Sequence, residues 1–207
     1  MTSEFIIYCV DTETTGFDPI VNDVIELSIY RLNDDIQKTW CLKPFNKDGI
    51  EQGALRVNGH KREDLVGETK FGRDTYLDPN KVLVEIENFM MEDNSLSEDR
   101  ILLGQNPSFD KLFMEHLWKK CNTFGSFPFG RKIIDTIQIV LLMDLAIGHK
   151  RDAYGLGSLV KDFDVKKDKA HRADSDTRMT KDLWLKLLDI AKEAFGNSEL
   201  LKKINSK

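Results

Sequence analysis

The sequence predicts an α/β fold with a mixed central β-sheet flanked by helices. Three observations carry this. The first third of the chain holds three short apolar runs with strand character, joined by short polar connections. The rest alternates helix-period segments with a strand-like one, the pattern that packs helices against a sheet. The chain has 207 residues, of which 41% are hydrophobic. That is enough apolar material for a buried core and the length of one domain, taken as residues 1–207.

Taken in order, Phe5–Val10 is a short apolar run that reads as a buried strand. Val24–Leu32 partly alternates, with Ile25, Leu27 and Ile29 on one face. Asn33-Asp34-Asp35 has turn composition and leads into a third strand, Ile36–Leu42, so the three form an antiparallel meander. Val66–Asn80 is polar and punctuated by Gly and Pro, which predicts a long loop. Lys81–Met91 has helical spacing at Val82, Ile86, Phe89 and Met90. Ile101–Gly104 is a further short strand. Phe109–Cys121 is a helix with Leu112, Phe113, Leu117 and Cys121 inward, and Asp135–Leu145 another with Ile137, Val140, Leu141 and Leu145 inward. Leu156–Phe163 reads as a short helix. The last long helix carries Met179, Leu183, Leu187 and Ile190.

Composition excludes several classes. No apolar run approaches the roughly 20 residues that span a bilayer, so no membrane partner is expected. The N-terminal segment carries Glu4 and its apolar run stops at Asp11, unlike a signal peptide. Cys9, Cys41 and Cys121 are few, odd in number and far apart, which predicts buried thiols in a reducing, cytoplasmic setting and no zinc ribbon. A net charge of −5 argues against a protein that coats nucleic acid by counterion release. It leaves room for an enzyme whose carboxylates await cations.

The chemistry gathers at three places. Tyr8-Cys9-Val10-Asp11-Thr12-Glu13-Thr14-Thr15-Gly16 is a buried strand ending in two carboxylates that strand alternation puts on one face. The pair is either a solvated strand end or one half of a divalent-cation site. Gly104-Gln105-Asn106-Pro107-Ser108-Phe109-Asp110 follows the fourth strand; Asp110 either caps the next helix or joins the first pair, and Asn106 has an equal reading as a turn former. His171-Arg172-Ala173-Asp174-Ser175-Asp176 precedes the last helix, with Asp174 as a candidate N-cap and Asp176 in the first turn. His60, His116 and His149 lack a comparable acidic neighbourhood in the sequence. All these carboxylates fall at strand ends or helix starts, the edge of an α/β sheet where ligands bind.

Asp-x-Glu-x-Thr-Gly, Asn-x-x-x-Asp and His-x-Ala-x-x-Asp, in this order, resemble the DEDD superfamily of 3′–5′ exonucleases, and the third motif resembles its DEDDh branch, which includes proofreading subunits and ribonuclease T. The motifs run from Asp11 to Asp176. Ala54–Leu65, Asp135-Thr136 and Leu156–Leu159 resemble minor landmarks of the family. Two departures stand out: Gln105 precedes Asn106 where His is frequent, and His60 stands where an aliphatic residue can wedge the terminal base.

The resemblance implies a ribonuclease H-like fold and two ions, Mg²⁺ or Mn²⁺, about 4 Å apart. By motif position Asp11 bridges both, Glu13 and Asp176 complete one site, and Asp110 holds the second through water. His171 takes the proton from the attacking water; histidine as a residue type titrates near ~6.5, which suits this. Thr14, Thr15 and Gly16 contact the terminal nucleotide through backbone amides, with Asn106 alongside. Phe17 is either a surface for the last base or ordinary core. His149-Lys150-Arg151 and Lys166, Lys167 and Lys169 are candidates to hold the upstream strand. The implied partner is the 3′ end of a nucleic acid, single-stranded by preference and either DNA or RNA, with a polymerase as a further partner if the chain is a proofreading subunit. A quiet nucleic-acid or polymerase binder is one competing class, and the presence of all five expected site residues weighs against it; a metal-binding structural domain without nuclease activity is the other, and it leaves His171 unexplained.

Overall fold

The computed structural model describes residues 5–67, 76–121, 125–168 and 171–195. The sheet begins with three antiparallel strands, Ile6–Thr14 (β1), Val24–Arg31 (β2) and Ile36–Cys41 (β3). Gln52–Asn58 (α1), Arg62–Val66 (α2) and Pro79–Met91 (α3) follow. Arg100–Gly104 (β4) then enters parallel to β1, and Pro107–Cys121 (α4) leads to Ile133–Asp135 (β5), parallel to β4. Thr136–Ile147 (α5), Leu156–Asp162 (α6) and Ala173–Phe195 (α7) complete the chain. The strand order is β3-β2-β1-β4-β5, so β1 is central.

A central strand must be covered on both faces. On one face Tyr8, Val10, Leu27 and Ile29 pack against Ile86 and Phe89 of α3 and Phe113 and Leu117 of α4. On the other, Cys9 and Leu103 meet Trp184 of α7. Each fully buried side chain of this size contributes about 1.5–3 kcal/mol. The three cysteines are buried free thiols, as their spacing predicts.

The meander and the mixed sheet agree with the sequence reading, and element boundaries move by a few residues. β2 is buried at all eight positions, polar ones included, so both of its faces are covered. The stretch predicted as one loop, Val66–Asn80, starts inside α2 and ends inside α3, where Asp78 caps the helix by accepting the Asn80 amide; residues 68–75 lie outside the described residues. β5 and the helices α1 and α2 are too short to leave a periodic signal. Two stripes need correction. Leu112 of α4 is exposed. In α5 only Val140 of the expected face is buried, while Leu141 and Leu145 are exposed and Ile137 is half-buried. That helix is apolar nearly all round, so period alone does not choose a face. Asp144 turns inward instead, accepting from Arg151 Nε at 2.8 Å and Tyr154 Oη at 2.9 Å.

Candidate active site

Three elements bring the acidic motifs together. β1 carries Asp11 and Glu13 two residues apart, which projects both from one face. Asp176 rides on the first turn of α7. One oxygen from each of these three carboxylates lies within 4.8 Å of the others. Asp110 arrives on the first turn of α4 and is buried. Its Oδ1 accepts both the Thr12 amide at 2.9 Å and the Thr12 hydroxyl at 2.7 Å, so it is fastened to β1 and does not cap its own helix. Asp174 is likewise no N-cap: it lies inside α7 and pairs with Arg178 at 3.1 Å.

Crowding and burial raise the proton affinity of the whole group. Burial first, then Asp110, Glu13 and Asp176, push the Asp11 carboxyl well above the usual carboxylate range. Burial and the neighbouring Asp176, Glu26 and Asp110 charges lift Glu13 to about 8, while Arg172 pulls it down. Burial also raises Asp110 against the lowering effect of the Thr12 bonds, and it raises Asp176 to about 6 against the His171 amide. Asp176 Oδ1 is buried with no hydrogen-bond partner. A buried oxygen without a donor, on a carboxylate that lies among others, is the environment that a cation satisfies, and an all-oxygen donor set suits a hard divalent ion. The residues therefore fit such an ion.

His171 is exposed, in the left-handed backbone region at φ 62°, and its amide donates to Asp176 Oδ2 at 3.2 Å. The Exonuclease model of the RNase_T family matches residues 8–184, a span that contains every residue named so far at this site. The chain belongs to the RNase_T exonuclease family. It is an exonuclease of the DEDD superfamily with the ribonuclease H-like fold. It is 26% identical over 200 residues to the PolC-type DNA polymerase III of Staphylococcus aureus, covering 95% of this chain and 12% of that one. It thus spans about an eighth of that relative. Among solved structures, Escherichia coli exonuclease I in complex with a dT13 oligonucleotide aligns with a TM-score of 0.71 at 16% identity, over 94% of this chain and 43% of that one. Cell-death related nuclease 4 aligns at 0.69 and 15% identity, over 91% and 65%.

In this exonuclease the turn after β1 is built for packing as much as for ligand. Thr14 Oγ1 donates to the Gly16 carbonyl at 2.6 Å. Thr15 is fully buried and its amide donates to Asp23 O at 2.9 Å, so that amide is already occupied, against the expectation of a nucleotide contact. A Cβ on Gly16 would fall 2.4 Å from Asn22 Nδ2 and Glu51 Oε1, which explains the glycine. Phe17 is 77% exposed, and its ring meets Phe109 edge-on at 6.4 Å, so it is not core. Together with Glu13, Gly16, Val57 and Asn58 these rings line a cleft of about 130 Å³ beside the carboxylates. Asn106 sits at φ 59° with its amide donating to Asp135 Oδ1 at 3.1 Å.

Other expectations change. His60 has an acidic neighbour after all: it is buried, with Nε2 at 2.9 Å from Glu26 Oε2, which removes it from the role of base wedge. Arg151 is committed to Asp144 and Asp162 and is no spare cation for a phosphate. Lys166 and Lys167 are exposed, and Lys169 lies outside the described residues. Among the described residues no helix is long and apolar enough to cross a membrane. Sequence reasoning missed Glu26, Asn58 and Val57. Glu26 has one available signal, a lone acid inside an apolar strand.

Proposed function

We propose that this exonuclease acts from the 3′ end of single-stranded or frayed DNA or RNA and releases nucleoside 5′-monophosphates with two divalent cations, Mg²⁺ or Mn²⁺. Asp11, Glu13, Asp110 and Asp176 would hold them. The observation that carries this is the meeting of Asp11, Glu13 and Asp176 within 4.8 Å, with Asp176 Oδ1 left without a donor. Ions held there supply Lewis acidity toward the scissile phosphate and its leaving oxygen. His171, exposed beside Asp176, accepts the proton of the attacking water. Phe17 and Phe109 offer an apolar face to the terminal base, and Thr14 and Gly16 line the same cleft. A turn directly after the strand that carries Asp11 and Glu13 would leave little room for a nucleic-acid strand to continue past the cleaved residue, which supports a requirement for a free end. The likeness to a polymerase chain favours a second reading, a proofreading subunit or domain acting beside a polymerase. Trimming of RNA is the other alternative. Three buried free thiols support a reducing, cytoplasmic setting.

The test is a time course on 5′-labelled single-stranded, duplex and circular substrates, DNA and RNA. Shortening from the 3′ end, faster on single strands, with chelator abolishing it and Mg²⁺ or Mn²⁺ restoring it, is expected. Rapid cutting of a circle, a ladder growing from the 5′ end, or full activity in excess chelator defeats the reading.

A further inference from the structure

A fifth carboxylate adjoins the cluster and has no part in the chemistry proposed above. Glu26 sits inside β2, fully buried, directly opposite Glu13 in the antiparallel register. Like charges in that relation repel, and a buried carboxylate needs partners. Glu26 has two. His60 Nε2 lies 2.9 Å from Oε2, and Arg172 Nε lies 3.0 Å from Oε2 and 3.3 Å from Oε1. A neutral His60 ring that donates from Nε2 to Glu26 accepts the Tyr76 hydroxyl at Nδ1. The two partners of Glu26 come from the turn after α1 and the loop before α7, and Tyr76, which backs His60, from the stretch before α3.

Arg172 is the residue next to His171. His171 holds φ 62°, in the left-handed region that few non-glycine residues occupy. The loop is pinned on one side by the His171 amide on Asp176, and the Arg172 carbonyl accepts the amides of Ser175 and Asp176. On the other side the guanidinium of Arg172 reaches into the sheet and donates to Glu26, while Gln37 Nε2 of β3 donates to the Asp174 carbonyl at 2.8 Å. We propose that Glu26 is a positioning residue: through Arg172 it fixes the loop that presents His171 beside the Asp11, Glu13 and Asp176 carboxylates, from outside the set that holds cations. Both Glu26 oxygens are engaged by Arg172, and one by His60 as well, which keeps this acid out of that set. The inference rests on the nuclease reading, with His171 as the base.

A double-mutant cycle tests it. Glu26→Gln keeps the shape and removes the charge. Arg172→Gln removes the anchor, and Arg172→Lys keeps the charge without the planar fork. Glu26→Gln and Arg172→Gln should each lower kcat roughly 10–100-fold, with KM and the number of Mg²⁺ ions bound in calorimetry unchanged, and Arg172→Lys should recover part of the loss. In a His171→Ala background either change should cost less than about 2-fold, because the group they position is gone. Equal losses in both backgrounds overturn the positioning role, and so does a Glu26→Gln protein that loses Mg²⁺ binding. A wild-type protein with no nuclease activity defeats the functional reading itself. Where Glu26→Gln does not fold, the Arg172 cycle decides alone, since that side chain is 27% exposed and its removal leaves no cavity in the core.

Discussion

At the scale of single residues the four histidines separate cleanly. His60 is buried against Glu26 and Tyr76, and His116 Nδ1 lies 2.9 Å from its own helix's Leu112 carbonyl. His149 follows Gly148 at the end of α5, and its amide is spent on Asp144 O at 2.8 Å. His171 alone stands exposed beside the carboxylate cluster. His171→Ala should therefore lower kcat roughly 10²–10⁴-fold and leave the calorimetric Mg²⁺ titration intact, while His116→Ala and His149→Ala stay within about 2-fold of wild type. An ion lost on titration would make His171 a cation holder and remove it from the role of base. The motif residues were legible through their resemblance, in order, to a family pattern. Glu26 left one local signal, an acid inside an apolar strand, which does not reveal that its partner is an arginine 146 positions away.

At the scale of elements, the end of β1, the bend after it, α1 and the start of α4 build the cleft beside the carboxylates. The bend carries Phe17 outward, where its ring touches little beyond Phe109. A core phenylalanine costs about 3–5 kcal/mol when truncated. An exposed one costs little stability, but a ring that stacks on a base gives up about 1–3 kcal/mol of binding. Phe17→Ala should thus shift Tm by less than ~2 °C and lower kcat/KM on single-stranded oligonucleotides roughly 5–100-fold. Thermal melts and steady-state kinetics on the same preparation check this, and an unchanged kcat/KM assigns the ring no base contact. In the sequence Phe17 read equally as core or as a base surface, because an aromatic after a strand serves both; its exposure removes the core reading.

At the scale of the whole molecule, the carboxylate cluster ties stability to pH. Its members titrate higher in the fold than in an unfolded chain, Glu13 at about 8 and Asp176 at about 6, with Asp11 and Asp110 also raised. The folded protein then binds more protons than the unfolded one, and protonation stabilises it. That contribution is whole below the ordinary carboxylate range near ~4 and is lost as pH rises through the folded values, between about 6 and 8. Asp34, Asp78 and Asp93 are shifted down, so theirs is lost only as pH falls below ~4. In chelator, Tm should fall by at least ~2 °C from about pH 6 to about pH 8.5. Saturating Mg²⁺ should abolish or reverse that slope, since the ions bind the ionised form. Asp11→Asn should flatten it in chelator while removing activity. A chelated wild type that gains Tm with rising pH would contradict the cluster's electrostatics.

The sequence by itself determined the fold class, the meander and the helices of ordinary length, which rest on short-range periods that a linear chain displays. Its resemblance to a family pattern pointed to the family and named the four carboxylates and His171 as site candidates. Only the tertiary structure decided which side of a uniformly apolar helix is buried, as in α5, where Asp144 finds Arg151 and Tyr154 and turns the leucines out. It also decided that Asp110 is fastened to Thr12, that Asp176 keeps one oxygen without a donor, and that Glu26 meets Arg172 and His60. The physical reason is common to all of them. A polar side chain's role depends on which partner reaches it once water is excluded, and those partners lie tens of residues to more than a hundred away, brought together only when the sheet closes.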